Sequence, residues 1–123
     1  MESQFIPYSV SPVPSGRVLV LAPHPDDEVF GCGGAIMQHL AQGDEVTVII
    51  LTDGHAAIEH ADSASMAQYI ETRRQESRAA AAILGYQRLE FWDFPDRELP
   101  CDETLIQRLQ HVIEQYCVDH VYA

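Results

Sequence analysis

The sequence predicts an α/β fold in which a parallel sheet carries helices on both faces, in the order β-α-β-α-β-α-β. Three observations lead there. RVLVLA (17–22) and EVTVIILT (45–52) are short, almost unbroken apolar runs, the mark of strands buried on both faces. The segments between the strands carry apolar residues at helical spacing and close on Gly43 and Gly85. Regular alternation of the two element types implies parallel strands joined by right-handed crossovers.

Along the chain, residues 1–16 hold Pro7, Pro12, Pro14, several serines and Gly16, and read as an extended arm. The first strand is 17–22. A helix from Val29 to Gln42 follows, with Phe30, Ile36, Met37 and Leu40 in phase and Gly43 as its stop. The second strand, 45–52, ends at Asp53-Gly54. A polar loop with His55 and His60 leads to a helix over residues 64–84, whose AAAAIL run favours helix strongly. RLEFWDF (88–94) is the third strand, with Trp92 expected in the core, and the turn-rich FPDRELP follows. Asp102 is a good N-cap for a helix reaching Tyr116, and DHVYA (119–123) is the fourth strand.

The chain has 123 residues, enough for one domain or part of one, and its 46% apolar and 21% charged residues suit a globular protein. A net charge of −12 argues against nucleic acid and anionic membranes as partners. Cys32, Cys101 and Cys117 form no C-x-x-C pair or disulfide framework, so the expectation is three buried structural thiols in a reducing, cytoplasmic setting. No basic start precedes an apolar core, so no signal peptide is expected, and no apolar run approaches the ~20 residues of a membrane span. Four parallel strands leave a sheet edge open, which invites homo-oligomerisation.

Ligands of parallel sheets bind outside the carboxyl ends of the strands. At the first of these ends stand His24, Asp26, Asp27 and Glu28. His24 and Asp27 supply a nitrogen and an oxygen ligand three residues apart, a partial set for a catalytic zinc. Asp26 lies between them and is placed to act as a general base. Pro25 stiffens the turn, and Gly31, Gly33 and Gly34 permit close packing. The plainer alternative is that the three acids simply favour a helix N-terminus, each by roughly 0.3–1 kcal/mol. It leaves His24-Pro25 unexplained.

APHPDDE, preceded by VLVLA and followed by GCGG, resembles the signature of the PIG-L/LmbE-like family of zinc-dependent N-deacetylases. Thr52-Asp53-Gly54, the Arg73-x-x-Glu76 helix with its RAAAAILG run, FPDREL (94–99) and VDHVYA are similar to later family motifs in order. The resemblance covers nearly all of 17–123 and implies a Rossmann-like fold. It implies that His24 and Asp27 bind the metal, Zn2+ or another divalent ion, and that Asp26 is the general base. It implies that Arg73 contacts substrate. It further implies that the chain is the N-terminal portion of the domain, truncated before the third metal ligand, a histidine, and so inactive alone.

The implied activity is removal of an N-acetyl group from an N-acetylglucosamine-type sugar or conjugate by a zinc-bound water. The competing reading is a nucleotide-binding Rossmann-like module without hydrolytic activity. GCGG is not G-x-G-x-x-G, and the carboxylates would stand where a pyrophosphate should sit. Among other residues, Asp53 either contacts the site or makes its turn, and Asp96 either closes the substrate pocket or fixes the turn with Pro95. Both are carried as substrate-binding candidates. His55 and His60 are expected as solvated loop residues, and His39 and His111 as surface or packing residues.

Overall fold

The computed structural model describes residues 4–58 and 60–123. The elements are β1 (Val18–Ala22), α1 (Asp27–Ala41), β2 (Val46–Thr52), a short 3-10 turn (His55–Ile58), α2 (Ser63–Leu84), β3 (Arg88–Phe94), α3 (Glu103–Gln115) and β4 (His120–Tyr122). All strands pair in parallel, in the order β3-β2-β1-β4. β1 lies centrally, with Val18 opposite Val46 on one side and His120 on the other. Residues 4–16 of the expected arm carry no strand or α-helix, and its first three residues lie outside the described ones.

Strand periodicity divides the core in two. Val18, Val20, Ala22, Val46, Val48 and Ile50 point to one face, where they pack with Ile36 of α1 and Ala81 of α2. Leu19, Ile49, Leu51 and Trp92 point to the other, where Leu105 and Val112 of α3 cover them. Successive residues of a strand face opposite sides, so a strand covered on both faces must be apolar throughout. Trp92 is core, as expected. Among the described residues, no helix is long and apolar enough to cross a membrane.

The helix ends follow their residue chemistry. Asp62 caps α2 by accepting from the Ser65 amide at 2.9 Å, and Asp102 caps α3 by accepting from the Leu105 amide at 3.0 Å. Gly85 ends α2 at φ 98°, in the left-handed region that suits glycine. α1 starts two residues earlier than Val29, because the Asp26 carbonyl already accepts from the amides of Val29 and Phe30 at 2.9 and 3.0 Å.

The expectation of three buried thiols does not hold. Cys101 and Cys117 are exposed and Cys32 is half-buried. Cys101 precedes the α3 cap, and Cys117 lies in the turn after α3, so neither is on a core-facing stripe.

His39 is fully buried, and its partners explain how. Its Nδ1–H donates to Asp44 at 2.7 Å, and Tyr122 of β4 donates its hydroxyl to Nε2 at 2.9 Å. Asp44 also accepts from Gln42 Nε2 (2.7 Å), Ser15 Oγ (2.7 Å) and the Gly16 amide (3.1 Å). One carboxylate thus ties the arm, the end of α1 and the edge strand together. The bonds from Gln42, then His39 and Ser15, hold its carboxyl well below the usual carboxylate range. A lowered pKa contributes stability above the unfolded value of about 3.9 that is lost as pH falls. Asp44→Asn is therefore expected to lower the urea midpoint clearly at pH 7 and by a somewhat smaller amount at pH 3, where the unfolded carboxyl is largely protonated and the folded one is still ionised. An equal loss at both pH values would contradict this account.

Candidate metal and active site

The strand order places β2 and β3 on one side of β1 and β4 on the other, so the chain reverses its winding beside β1. Such a switch point opens a crevice at the carboxyl end of the strand. His24–Glu28 leave β1 at that point. The Pro23 carbonyl accepts from both the amide and the hydroxyl of Thr52, at 3.0 and 2.8 Å, which ties the exit of β1 to the end of β2. Pro25 is buried beneath the turn and packs beside Gly54, where an added Cβ would lie 3.4 Å from the proline ring at a φ of 70°.

The turn separates the acids. Asp27 opens α1, and its Oδ2 accepts from the His24 amide at 3.1 Å and stands 3.2 Å from His24 Nδ1. Asp26, at φ 87°, has its carboxylate in a separate ion pair with Arg73 of α2. Arg73 also donates to the Pro25 carbonyl at 3.3 Å and to Glu76 at 2.7 Å. Arg74, its neighbour, pairs instead with Asp93.

A bulge near the end of β3, with Asp93 at φ 57°, brings Pro95-Asp96 over the site. Asp96 accepts from His24 Nε2–H at 2.9 Å. Asp53 stands behind it, its Oδ1 accepting from the Asp96 amide (3.1 Å), the His55 amide (3.1 Å) and His55 Nδ1 (2.8 Å). His55 is therefore not simply a solvated loop residue, because the 3-10 turn after Gly54 folds it back onto Asp53. His60 and His111 are exposed. An open cleft of about 190 Å³ is lined by His24, Pro25, Gly54, Tyr69, Arg73 and Asp96. Two larger hollows, of about 410 and 390 Å³, lie at the opposite, amino ends of the strands around Asp44 and Glu45.

Charges in the site are shifted by their neighbours. Burial pulls the His24 pKa down, but bonds to Asp96 and Asp27 outweigh it and leave it above the ordinary value. Burial pushes Asp53 up, and the hydrogen bonds from His55 and the Asp96 amide outweigh this and hold it below the usual range. The bond to Asp53 raises His55.

The His24–Asp27 pair fits a zinc ion. Two ligands of a tetrahedral zinc at bond lengths of about 2.0–2.1 Å stand roughly 3.3 Å apart, close to the 3.2 Å between Nδ1 and Oδ2. Among the described residues, no group of three His, Cys, Asp or Glu side chains is arranged to hold a metal.

Glu28 is the residue that sequence reasoning passed over. It is 0% exposed, and neither carboxylate oxygen has a hydrogen-bond partner among the described residues. The hydroxyls of Ser77 and Tyr86 are likewise buried without partners. Burial pushes the Glu28 carboxyl up, as it does the Tyr86 phenol, which also feels the Glu28 charge. The signal was present: residues 28, 32, 36 and 39 form one helical stripe, and Glu28 belongs to it once α1 starts at Asp27.

Fold and site together define a parallel α/β protein with a histidine–carboxylate pair at the switch point of its sheet. The family model described as PIG-L, GlcNAc-PI de-N-acetylase, matches residues 19–123, and the chain belongs to that family. It is 33% identical over 100 residues to a diacetylchitobiose deacetylase of Thermococcus kodakarensis, covering 80% of this chain and 37% of the relative. It is 35% identical over 107 residues to a 4-oxalmesaconate hydratase of Pseudomonas putida, covering 80% and 40%. The N,N'-diacetylchitobiose deacetylase structure from Pyrococcus horikoshii superposes with a TM-score of 0.79 at 32% identity, covering 87% of this chain and 40% of that one. The chain thus spans about two fifths of the length of these relatives.

The orphaned Glu28 carries a prediction. A raised carboxyl pKa means stability that is present below the unfolded value, near 4.3, and lost as pH rises. Glu28→Met is expected to raise unfolding free energy by about 1–3 kcal/mol at pH 8, the usual cost of an unsatisfied buried polar group, with a smaller gain at pH 4. A variant less stable than the parent at pH 8 in urea titration would show that Glu28 is satisfied by a bound partner.

Proposed function

We propose that the chain carries the N-terminal part of the active centre of a metal-dependent hydrolase. Its reaction would remove an N-acetyl group from an N-acetylglucosamine-type sugar or conjugate. The observation that carries this reading is the pairing of His24 Nδ1 and Asp27 Oδ2 at 3.2 Å, with Asp26 in a separate ion pair with Arg73, which lines the same cleft as His24. One ligand pair and one separate carboxylate divide the work between metal and proton.

A zinc ion held by His24 and Asp27 would polarise an amide carbonyl and lower the pKa of a water from about 15.7 to about 7. Asp26 takes the proton of the attacking water and can return it to the leaving amine, which balances the hydrolysis. Arg73 holds Asp26 in place through its pair and, at the cleft wall, is positioned to contact the sugar. Asp96 lines the same cleft, and Asp53 supports it from behind. Family membership supports N-deacetylation, and the name of the Thermococcus kodakarensis relative, a diacetylchitobiose deacetylase, points the same way.

Activation of water would also serve a hydratase, the name borne by the Pseudomonas putida relative. Nucleotide binding is not favoured, since Asp27 and Glu28 occupy the first turn of α1, where a pyrophosphate would meet like charge.

The test is release of acetate from diacetylchitobiose and from N-acetylglucosamine by the full-length protein. Chelation is expected to abolish it and zinc to restore it. Asp26→Ala is expected to lower kcat by about 10²–10⁴ with KM little changed. Activity that survives chelation, or turnover of 4-oxalmesaconate in place of N-acetyl sugars, would overturn the proposal.

A further inference from the structure

His24 lies between two carboxylates that differ sharply in setting. Asp96, on the Nε2 side, has a side chain only 9% exposed, whereas Asp27, on the Nδ1 side, is 48% exposed and shares the open face of the ring. A carboxylate only accepts, so each contact draws a proton to its ring nitrogen, and in the neutral ring the shorter, more buried 2.9 Å contact with Asp96 favours the proton on Nε2 over the 3.2 Å contact of Nδ1 with Asp27. Nδ1 is then the one ring nitrogen that can lose its proton without breaking a buried hydrogen bond. Asp96 is itself fixed, because its amide donates to Asp53 Oδ1 at 3.1 Å and that oxygen is braced by His55.

We infer that Asp96 is a positioning residue for the metal pair: by holding the Nε2 proton it aims the Nδ1 lone pair of His24 at the point it shares with Asp27. The inference rests on the metal-dependent reading above. Its physical basis is general. A ligating histidine gives its other N–H to a carboxylate or carbonyl, which sets tautomer and ring orientation, and loss of that partner typically weakens metal binding 10–100-fold. Asp53 acts one step further back, through the Asp96 main chain. The site therefore runs as Asp53, Asp96, His24 and Asp27, gathered from the ends of β2, β3 and β1 and from the start of α1.

The tautomer can be read without metal. In protein labelled with 15N-histidine, two-bond 1H–15N spectra at pH 9, assigned with His24→Gln, are expected to show His24 protonated at Nε2. Added zinc is expected to shift Nδ1. Zinc affinity, measured by competition with a chromophoric chelator, is expected to fall 10–100-fold in Asp96→Ala and less in Asp96→Asn, whose carbonyl still accepts the Nε2 proton. A neutral ring protonated at Nδ1, zinc seated on Nε2, or unchanged zinc affinity in Asp96→Ala would overturn the inference. The two readings fail separately. If His24→Gln and Asp27→Ala leave zinc binding unchanged, the metal pair itself is wrong and the positioning role falls with it. If those variants abolish binding while Asp96→Ala does not, only the role of Asp96 is lost.

Discussion

Asp26 sits at φ 87°, a conformation that L-residues other than Asn, Asp and Gly seldom adopt. Such a residue costs about 1–3 kcal/mol and persists only where its surroundings over-determine it. Here they do. Its carbonyl accepts two amides that start α1, its carboxylate meets Arg73, and the preceding Pro25 is buried against Gly54. The left-handed step reverses the chain within one residue. It places His24 and Asp27 together and sends the Asp26 side chain apart. In a regular helix, adjacent residues would diverge by 100° with no such constraint on the residue two before them. The left-handed step is thus what sets the Asp26 carboxylate, paired with Arg73, apart from the His24–Asp27 contact.

That turn works only because the sheet holds both of its ends. Thr52 clamps the Pro23 carbonyl from β2, and the register of β1 with β2 and β4 fixes where β1 stops. α2 then brings Arg73 across from the far side, 47 residues along the chain. Three elements of local sequence signal, a buried strand, a proline turn and an alanine-rich helix, converge on one dipeptide. None of them would order it alone.

Much of this was legible in the sequence, for reasons that can be named. β1 and β2 are apolar on both faces, so their identity follows from covering helices alone. α2 and α3 announce their starts with Asp62 and Asp102 and α2 its end with Gly85. The start of α1 was misplaced because its signal lies in the left-handed Asp26, which no propensity scale marks. With the start went Glu28, whose burial depends on the register of that first turn. His39 is a packing residue, one of the two expectations for it, but its partners Asp44 and Tyr122 could not be read, since Tyr122 lies on a strand 83 residues away. The same holds for Asp96, which reaches His24 across 72 residues through a bulge in β3. Local chemistry shows in sequence, and contacts made by topology do not.

Two of the histidine–aspartate contacts, His39 with Asp44 and His24 with Asp96, show how one arrangement serves opposite ends of the sheet. At the amino end, Asp44 holds the proton on His39 Nδ1, and Nε2 is consumed by the Tyr122 hydroxyl. The ring is 0% exposed, both nitrogens are satisfied, and nothing is left to bind. Such a closed network contributes order, here to an edge strand and the arm beside it. At the carboxyl end, Asp96 holds the proton on His24 Nε2, but Nδ1 stands 3.2 Å from the half-exposed carboxylate of Asp27. The chemistry of the pair is the same, and the second nitrogen decides its use. A neutral donor such as tyrosine closes the network, whereas a second carboxylate leaves a concentration of negative charge that a cation can satisfy. The position of each pair follows from the winding of the chain, because a parallel sheet brings loop ends together at its carboxyl edge and leaves the return turns at the other.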